Sequence, residues 1–241
     1  MERIVIFGAT GDLAARYLMP ALAKLNEADK LPPGIKITGV DRQEWDDEHG
    51  FRRLVLDNLE HHAGNVSADA RATMAVEVLE YRQADVTDAE SVISALEPLT
   101  EPIVAYLALA PAVFAPTLES LKVANLPEGS RVAVEKPFGV NLESAQELNR
   151  LLHGFLPEGA IFRIDHFLAW QPFPTIMGLR FANGIFEPLW DRNYIERVEI
   201  IWEETLALEG RPGYFDHAGA FKDLIQNHLI QLLCLTAMEA G

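Results

Sequence analysis

The feature that most constrains this sequence is an alternation of short apolar runs with segments of helical spacing, repeated over about 160 residues. The apolar runs lie at residues 3–7, 35–40, 103–109, 132–134 and 161–162, and residues 81–84 are a plausible further strand. Short, almost continuous apolar runs are typical of strands that are buried on both faces of a parallel sheet. Helices connect such strands as right-handed crossovers. The sequence therefore predicts an α/β fold with a doubly wound parallel sheet.

The turn after the first run has the composition of a phosphate-binding turn. Residues 8–14 read Gly-Ala-Thr-Gly-Asp-Leu-Ala and lead from a strand into a helix, where backbone N–H groups and the helix dipole suit a pyrophosphate. Gly8 and Gly11 allow close approach of a ligand, and Thr10 offers a hydroxyl. The pattern is G-x-x-G rather than G-x-G-x-x-G, so the alternative is a tight turn without a ligand. Because the turn opens the first βα unit, we favour a nucleotide and a Rossmann-like domain over residues 1–158.

The second predicted strand ends in Asp41 and Arg42, where a dinucleotide fold contacts the adenosine ribose. A carboxylate there can accept a hydrogen bond from a ribose 2′-hydroxyl, whereas a guanidinium can pair with a 2′-phosphate. The two residues therefore indicate different coenzymes, NAD and NADP. A solvated turn without a ligand is the third alternative.

Several short, chemically distinctive segments follow the predicted strands. They lie at residues 8–11, 41–42, 110–111, 135–137 and 165–166. Ligands of doubly wound sheets bind at the carboxyl ends of the strands, so we expect these residues to converge on one site. Helix-capping signals at Ser67, Thr87 and Asn141 support the predicted helices, with Thr87 and Glu90 arranged as a capping box.

The character of the sequence changes after Pro174. Residues 197–202 alternate as a half-buried strand, and residues 221–233 have helical spacing with His228 inside the apolar stripe. We expect residues 159–241 to form part of an α+β substrate domain with a truncated antiparallel sheet. A histidine in an apolar stripe is more often a core residue than a catalytic one, but a partly buried imidazole near a carboxylate suits a general base.

The totals exclude several classes of protein. The net charge of −16 argues against general binding to nucleic acid, and no apolar run reaches the roughly 18 residues that span a bilayer. The amino terminus lacks the basic and apolar regions of a signal peptide. The single cysteine, Cys234, cannot form an internal disulfide and is expected to be buried. We expect a cytoplasmic protein that binds no membrane, and the sequence predicts no metal site.

A set of motifs in the same order along the chain resembles the glucose-6-phosphate dehydrogenase family. The motifs are residues 8–14, 135–139, 163–166, 180–183, 186–190, 213–216 and 226–229. The resemblance runs from residue 3 to about residue 238. It implies oxidation of the C1 hydroxyl of glucose 6-phosphate, or of a related sugar, to a lactone with hydride transfer to NADP or NAD.

The resemblance also implies roles for individual residues. His228 is the implied general base, Asp165 the carboxylate that orients and stabilises its imidazolium, and Lys136 a catalytic residue that contacts both substrate and coenzyme. Substrate binding is implied for His166, Glu204, Asp223 and Lys136, with His166 facing the sugar phosphate. The predicted coenzyme-binding residues are Gly8, Thr10, Gly11, Asp12, Leu13, Asp41, Arg42, Ala110 and Lys136. We favour NADP over NAD because Arg42 matches the family position.

Two departures from the family pattern affect the expected substrate and assembly. Phe167 and Trp170 stand where the family has a tyrosine and a lysine that serve the sugar phosphate. Loss of a charge-assisted bond to phosphate costs at least about 1.5–3 kcal/mol, or more than tenfold in binding. The sequence also stops at Gly241, whereas family members continue through a large antiparallel sheet. A lone strand is not stable, so we expect a homo-oligomer, a partner chain over the sheet, or a fragment.

These observations leave two hypotheses. The first is a sugar dehydrogenase with altered phosphate selectivity. The second is a non-catalytic coenzyme-binding homologue that docks on a partner subunit. We favour the enzyme, because sequence drift would have eroded His228 and Asp165 as well.

Overall fold

The computed structural model of the protein describes residues 3–45, 49–203, 219 and 221–239, with backbone alone at positions 76, 77, 166, 222, 223 and 227. The chain divides into two compact units, Met1–Ile164 and Asp165–Gly241. Within the described ranges, no helix is long and apolar enough to cross a membrane.

The first unit is built on a six-stranded sheet in which every neighbouring pair of strands is parallel. The strands are β1 (Arg3–Phe7), β2 (Lys36–Asp41), β3 (Leu79–Gln83), β4 (Ile103–Leu107), β5 (Arg131–Glu135) and β6 (Ile161–Ile164). Their order across the sheet is β3-β2-β1-β4-β5-β6. This is the order of a doubly wound dinucleotide-binding sheet, so the predicted α/β class with a Rossmann-like parallel sheet is confirmed.

Helical segments connect successive strands of the sheet. The α-helices are α1 (Met19–Glu27), α2 (Gly50–His62), α3 (Ala68–Thr73), α4 (Ala89–Leu96), α5 (Phe114–Val123) and α6 (Leu142–His153). A π-helical segment, Ala14–Leu18, precedes α1, and a second one, Met74–Val78, follows α3. Short 3₁₀ turns lie at Pro111–Val113 and Glu158–Ala160.

The hydrophobic core has two parts, to which alternate residues of β1 contribute. Val5 and Phe7 pack in one cluster and Ile6 packs in the other, and all three side chains are buried. Successive side chains of a strand point to opposite faces of its sheet. A central strand between two buried faces must therefore be apolar at every position, which explains the continuous apolar run in the sequence.

The helix caps agree with the sequence at two positions and differ at a third. Ser67 accepts a hydrogen bond from the Ala70 N–H at 3.2 Å, and Asn141 is the N-cap of α6, both as predicted. Asn141 also forms a capping box with Ser144. The Thr87 prediction is wrong, because Asp88 is the N-cap of α4 and accepts from the Ser91 N–H at 2.9 Å. The Thr87 hydroxyl instead donates to Asp85 at 2.7 Å, and a carboxylate one residue later is an equally good cap.

The second unit is helical over much of its described length. It contains a 3₁₀ turn at His166–Ala169, helix α7 (Pro172–Phe181), a 3₁₀ turn at Glu187–Leu189, a π-helical segment at Phe221–Leu229 and helix α8 (Ile230–Ala237). The helix predicted over residues 221–233 is therefore present, but its first part is π-helical and it continues to Ala237.

Arg180 joins α7 to the end of α8. Its guanidinium donates to the carbonyl oxygens of Leu235 at 2.5 Å and Met238 at 2.6 Å. The last carbonyls of a helix have no intrahelical donor, and a cation near them also interacts favourably with the helix dipole. The indole N–H of Trp190 donates to a third carbonyl of this end, that of Thr236, at 2.8 Å. The sequence motif that contains Arg180 thus contributes a C-terminal cap for α8.

Two predictions for this unit are wrong. Residues 197–202 lie in neither a helix nor a strand, because a strand needs a neighbouring strand to pair its backbone and the described part of this unit has none. Cys234 is exposed rather than buried. Its neighbours in sequence are apolar, but successive residues of a helix point in directions about 100° apart, so an apolar neighbourhood in sequence does not bury a side chain.

Candidate functional site

The turn between β1 and the first helical segment is closely packed against the neighbouring strand ends. Gly8 has a φ of +83°, and a Cβ at this position would lie 2.3 Å from the Ala108 carbonyl oxygen. Its N–H donates to the Val40 carbonyl at 2.8 Å. Both the positive φ and the missing space require glycine, which keeps the backbone of the turn at the carboxyl ends of β1, β2 and β4.

Asp41 fixes this turn from the end of β2. One carboxylate oxygen accepts from the Thr10 N–H at 3.1 Å and from the Thr10 hydroxyl at 2.7 Å. The other accepts from the Arg42 N–H at 2.8 Å. The Thr10 hydroxyl therefore donates to a carboxylate in this structure. Asp41 supports the backbone of the turn, a role that the sequence analysis did not predict.

Asp12 and Leu13 lead from the turn into the segment Ala14–Leu18, of which Leu13 is the N-cap. The Asp12 carboxylate is exposed and lies 3.6 Å from the Arg16 guanidinium. The N–H groups at the start of a helix lack intrahelical partners and carry the positive end of the helix dipole. The chemistry at this point therefore suits an anionic group, with backbone N–H groups as the donors.

Arg42 and Ala110 lie in the loops that follow β2 and β4. Arg42 is exposed, and its carbonyl accepts a hydrogen bond from the Gln83 side chain at 3.1 Å. Hydrogen bonds from Thr87 are the main cause of the lowered pKa of Asp85, and attraction to Arg42 adds to them. Ala110 is the N-cap of the 3₁₀ turn after β4 and is exposed. The two residues thus follow strands on either side of β1.

Tyr106 and Glu135 form a hydrogen-bonded pair beside Lys136. The Tyr106 hydroxyl donates to a carboxylate oxygen of Glu135, which is the last residue of β5. Burial and this carboxylate raise the pKa of the Tyr106 hydroxyl. Tyr106 is in register with Ala133, so Glu135 is its diagonal neighbour on the same face of the sheet. This pair was not predicted from the sequence, although adjacent parallel strands of matched register could have suggested it.

A cavity of about 490 Å³ lies against β3, and none of its lining residues was predicted as a site residue. Trp45, Phe51 and Tyr81 contribute aromatic rings to its wall. The Tyr81 hydroxyl lies 3.0 Å from the Asp41 carbonyl oxygen and 2.6 Å from that of Gln43, and it can donate to either. Burial raises the pKa of Tyr81 to about 12. The wall of this cavity therefore supports the loop that follows β2.

In the second unit, Asp165 and His228 both interact with Phe167. The Asp165 carboxylate accepts from the Phe167 N–H at 3.0 Å and caps the turn that Phe167 occupies. The Phe167 ring is 2% exposed, and its centroid lies 4.1 Å from that of the His228 imidazole. The two residues for which the resemblance implies a shared role therefore contact the same residue, Asp165 at the Phe167 backbone and His228 at the Phe167 ring.

Four further ring contacts surround Phe167 and His228. Trp202 stacks on His228 with centroids 5.9 Å apart and on Trp170 with centroids 5.4 Å apart. Phe167 contacts Trp202 at 5.1 Å and Trp170 at 5.3 Å. We call Phe167, Trp170, Trp202 and His228 the aromatic cluster. The sequence does not predict this cluster, because Trp202 and His228 are distant in sequence from Phe167 and Trp170.

Three predicted substrate-binding side chains lie outside the part of the chain that the structure describes. Glu204 lies outside the described residues, and the side chains of His166 and Asp223 do so as well. Lys136 is described, and its ammonium nitrogen is shielded from solvent.

The sheet order, the glycine turn and the helix start at the strand ends define a protein of the Rossmann dinucleotide-fold class. Residues 5–172 match the family model for the NAD-binding domain of glucose-6-phosphate dehydrogenase, and residues 177–241 match that for its C-terminal domain. The chain belongs to the glucose-6-phosphate dehydrogenase family.

Individual relatives agree with this assignment. Glucose-6-phosphate 1-dehydrogenase 2 of Mycobacterium tuberculosis is 38% identical over 98% of this chain, and the Treponema pallidum enzyme is 39% identical over 98%. The crystal structure of the Mycobacterium avium enzyme covers 99% of this chain at 38% identity with a TM-score of 0.87. A glucose-6-phosphate dehydrogenase in complex with glucose 6-phosphate covers 99% at 34% identity with a TM-score of 0.85.

The matched region covers 98–99% of this chain but only about half of each relative. The chain spans 48% of the length of the Mycobacterium tuberculosis and Treponema pallidum proteins. It covers 53% and 51% of the two solved structures.

Proposed function

We propose that the protein oxidises the C1 hydroxyl of glucose 6-phosphate, or of a related sugar, to a lactone with NADP as hydride acceptor. The observation that carries this proposal is that His228 and Asp165 both contact Phe167. The His228 imidazole packs on the Phe167 ring, and the Asp165 carboxylate accepts a hydrogen bond from the Phe167 N–H. Membership of the glucose-6-phosphate dehydrogenase family supports the reaction type.

His228 has the surroundings that a general base needs. Oxidation of an alcohol removes a proton from oxygen and a hydride from carbon, and a neutral imidazole can accept the proton at neutral pH. The His228 Nδ1 atom is shielded from solvent, and we propose Nε2 as the nitrogen that accepts the proton. The rings of Phe167 and Trp202 pack against the imidazole and restrict its change of rotamer. Asp165 would stabilise the imidazolium that forms.

The glycine turn of the first unit fits the pyrophosphate of a dinucleotide. Gly8 excludes a side chain from the turn, and the N–H groups of Asp12 and Leu13 are donors at a helix start. A bound NADP would supply the hydride acceptor. Arg42, exposed at the end of β2, would pair with the 2′-phosphate, while Asp41 is already occupied in holding Thr10. This division of roles favours NADP over NAD.

The remaining assignments follow from the sequence. We propose that Lys136 contacts substrate and coenzyme, that Glu204 and Asp223 accept hydrogen bonds from sugar hydroxyls, and that His166 faces the sugar phosphate. Ala110, in the loop after β4, would lie against the coenzyme. We also propose a homo-oligomer or a partner chain for the full-length protein.

The test is coenzyme reduction by the full-length protein with glucose 6-phosphate and with glucose. His228→Ala should lower kcat by about 10² to 10⁴, because it removes the base. His62→Ala changes an exposed histidine at the end of α2 and should leave kcat unchanged. Coenzyme binding without reduction of NADP by any sugar would overturn the proposal and favour a non-catalytic homologue.

A further inference from the structure

We propose that Tyr106 is a positioning residue that acts through Glu135 to hold Lys136 in place for sugar oxidation. This inference rests on the proposed function, in which Lys136 contacts both substrate and coenzyme. It goes beyond that function, because neither Tyr106 nor Glu135 is among the residues expected to bind a ligand. Its basis is the hydrogen bond from the Tyr106 hydroxyl to Glu135, the residue that precedes Lys136 in the chain.

The donor of this hydrogen bond lies in the centre of the sheet. Tyr106 is a residue of β4, where it is in register with Ile6 of β1 on one side and with Ala133 of β5 on the other. Its ring packs against the core cluster that contains Ala9 of the glycine turn. A close-packed residue with paired strands on both sides cannot shift alone, so its hydroxyl is a fixed anchor for Glu135.

Glu135 needs a donor at this position. It is the last residue of β5 and partly buried, and its side chain lies on the same face of the sheet as that of Tyr106. Apolar side chains cover this face, and a carboxylate beside them needs a hydrogen-bond donor to offset its lost hydration. Burial and this carboxylate raise the pKa of the Tyr106 hydroxyl, which therefore stays protonated and donates at neutral pH.

The segment that follows Lys136 is held as well. Gly139 has a φ of +83°, and a Cβ at this position would lie 2.6 Å from the Ala145 backbone nitrogen, so the loop packs closely on the start of α6. The Arg163 guanidinium of β6 lies 5.2 Å from the centroid of the Phe138 ring. The backbone at Lys136 is therefore held from both sides, and on the β5 side the anchor is the hydroxyl in β4.

A small displacement of Lys136 is enough to affect the reaction. Lysine carries its charge at the end of a flexible chain, so the place of its ammonium group depends on where the backbone holds the chain. The Lys136 ammonium nitrogen is shielded from solvent, where a charge interacts more strongly than in water. Displacement by about 1 Å of a group that orients reactants can lower a rate by about 10².

The test is a double-mutant cycle on kcat, with saturating NADP, the full-length protein, and glucose 6-phosphate or glucose, whichever the wild-type protein oxidises. Tyr106→Phe removes only the hydroxyl and should lower kcat by about tenfold or more, because Lys136 is displaced. In the Lys136→Ala background the same change should alter kcat by less than about twofold, since the residue through which it acts is absent. Tyr17→Phe removes the hydroxyl of a 61% exposed tyrosine of the same unit and should leave kcat unchanged.

Two substitutions of Glu135 separate its position from its charge. Glu135→Gln keeps an oxygen that accepts from Tyr106 and should lower kcat by no more than about threefold. Glu135→Ala removes the acceptor and should match Tyr106→Phe. A loss in Glu135→Gln as large as that in Tyr106→Phe would show that the charge of Glu135 is what matters, and would contradict a positioning role.

Three other results would overturn the inference. They are an unchanged kcat in Tyr106→Phe, an equal fall in Tyr17→Phe, and an equal effect of Tyr106→Phe with and without Lys136, which a merely structural role predicts. Urea unfolding shows whether Tyr106→Phe folds. If it does not, Glu135→Ala takes its place in the same two backgrounds, with Glu135→Gln as the folded reference.

Binding separates this inference from the proposed function. If no sugar is oxidised, the proposed function fails, and NADP affinity measured by isothermal titration calorimetry replaces kcat in the same cycle. Weaker NADP binding in Tyr106→Phe that is absent from the Lys136→Ala background supports the inference in that case. An NADP affinity that Tyr106→Phe leaves unchanged contradicts it, and so does an equal weakening in both backgrounds.

Discussion

At the scale of single residues, the sequence and the structure indicate different roles for the Asp41 carboxylate. Its place at the end of β2 suggests contact with a ribose hydroxyl, yet its oxygens accept hydrogen bonds from Thr10 and Arg42. Hydrogen bonds to a charged group contribute about 1.5–3 kcal/mol each, so these contacts are large enough to fix the turn. The same residue would then affect binding of either coenzyme.

Asp41→Ala should weaken the binding of both NADP and NAD by about tenfold or more, because it releases the turn that receives the pyrophosphate. Isothermal titration calorimetry of both coenzymes measures the effect. Asp57→Ala removes an exposed carboxylate from α2 and is the control. Weaker binding of NAD alone would instead indicate that Asp41 contacts the ribose directly.

Tyr81, which binds the loop after β2, makes the stability of the folded protein depend on pH. Its pKa is raised from 10.0 to about 12, so its neutral hydroxyl is favoured in the folded state. The resulting stabilisation is fully present below pH 10 and is lost as the pH rises through about 12.

Tyr81→Phe should therefore lower the free energy of unfolding at neutral pH, with a difference from wild type that shrinks between pH 10 and 12. Urea unfolding at a series of pH values measures this difference. Tyr17→Phe, at an exposed tyrosine of the same unit, should give no such trend. A difference that is constant over the whole pH range would contradict the assignment.

At the scale of helices and strands, the joint between α7 and α8 depends on Arg180. Its side chain is 8% exposed, and its guanidinium lies 4.7 Å from the ring centroid of Phe181 and 5.4 Å from that of Trp190. Charge, hydrogen bonding and ring contact therefore act together at the end of the helix that follows His228.

Arg180→Ala should destabilise α8 by about 3 kcal/mol, because two carbonyl oxygens lose a charged donor. Hydrogen exchange of the amides in Ile230–Ala237 should become faster. Arg192→Ala, at an exposed arginine, should change stability by less than about 0.5 kcal/mol. Unchanged protection of these amides in Arg180→Ala would show that the cap is not needed.

The sequence was sufficient to predict the elements of the first unit because buried parallel strands have a strong local pattern. Residues 3–7 and 103–107 are recognisable from composition alone, and Asn141 is a cap with a local mechanism. Residues 197–202 have the alternation of a strand, but a strand also requires a partner that local sequence does not specify. The prediction that Cys234 is buried was wrong for a similar reason, since the burial of a side chain depends on which face of its helix is covered.

The candidate site could be predicted only in part. Gly8 and Asp41 follow from their places at strand ends, and His228 and Asp165 from the family resemblance. The aromatic cluster could not be predicted, because Phe167, Trp202 and His228 lie far apart in sequence. Contacts of this kind depend on the tertiary fold.

At the scale of the whole molecule, the chain combines a dinucleotide fold with a second unit that holds the candidate base. The two family models match successive parts of the chain, residues 5–172 and 177–241. Under the proposed function, the first unit would bind the hydride acceptor and the second would carry the proton acceptor.

The most direct test of this account is transfer of the isotope label from a sugar that carries deuterium at C1. We predict that the full-length protein will reduce NADP with the deuterium appearing in the nicotinamide ring, and that the labelled sugar will react more slowly than the unlabelled one if hydride transfer limits the rate. Mass spectrometry of the reduced coenzyme measures the transfer. Reduced coenzyme without deuterium, or no reduced coenzyme, would contradict C1 oxidation by this protein.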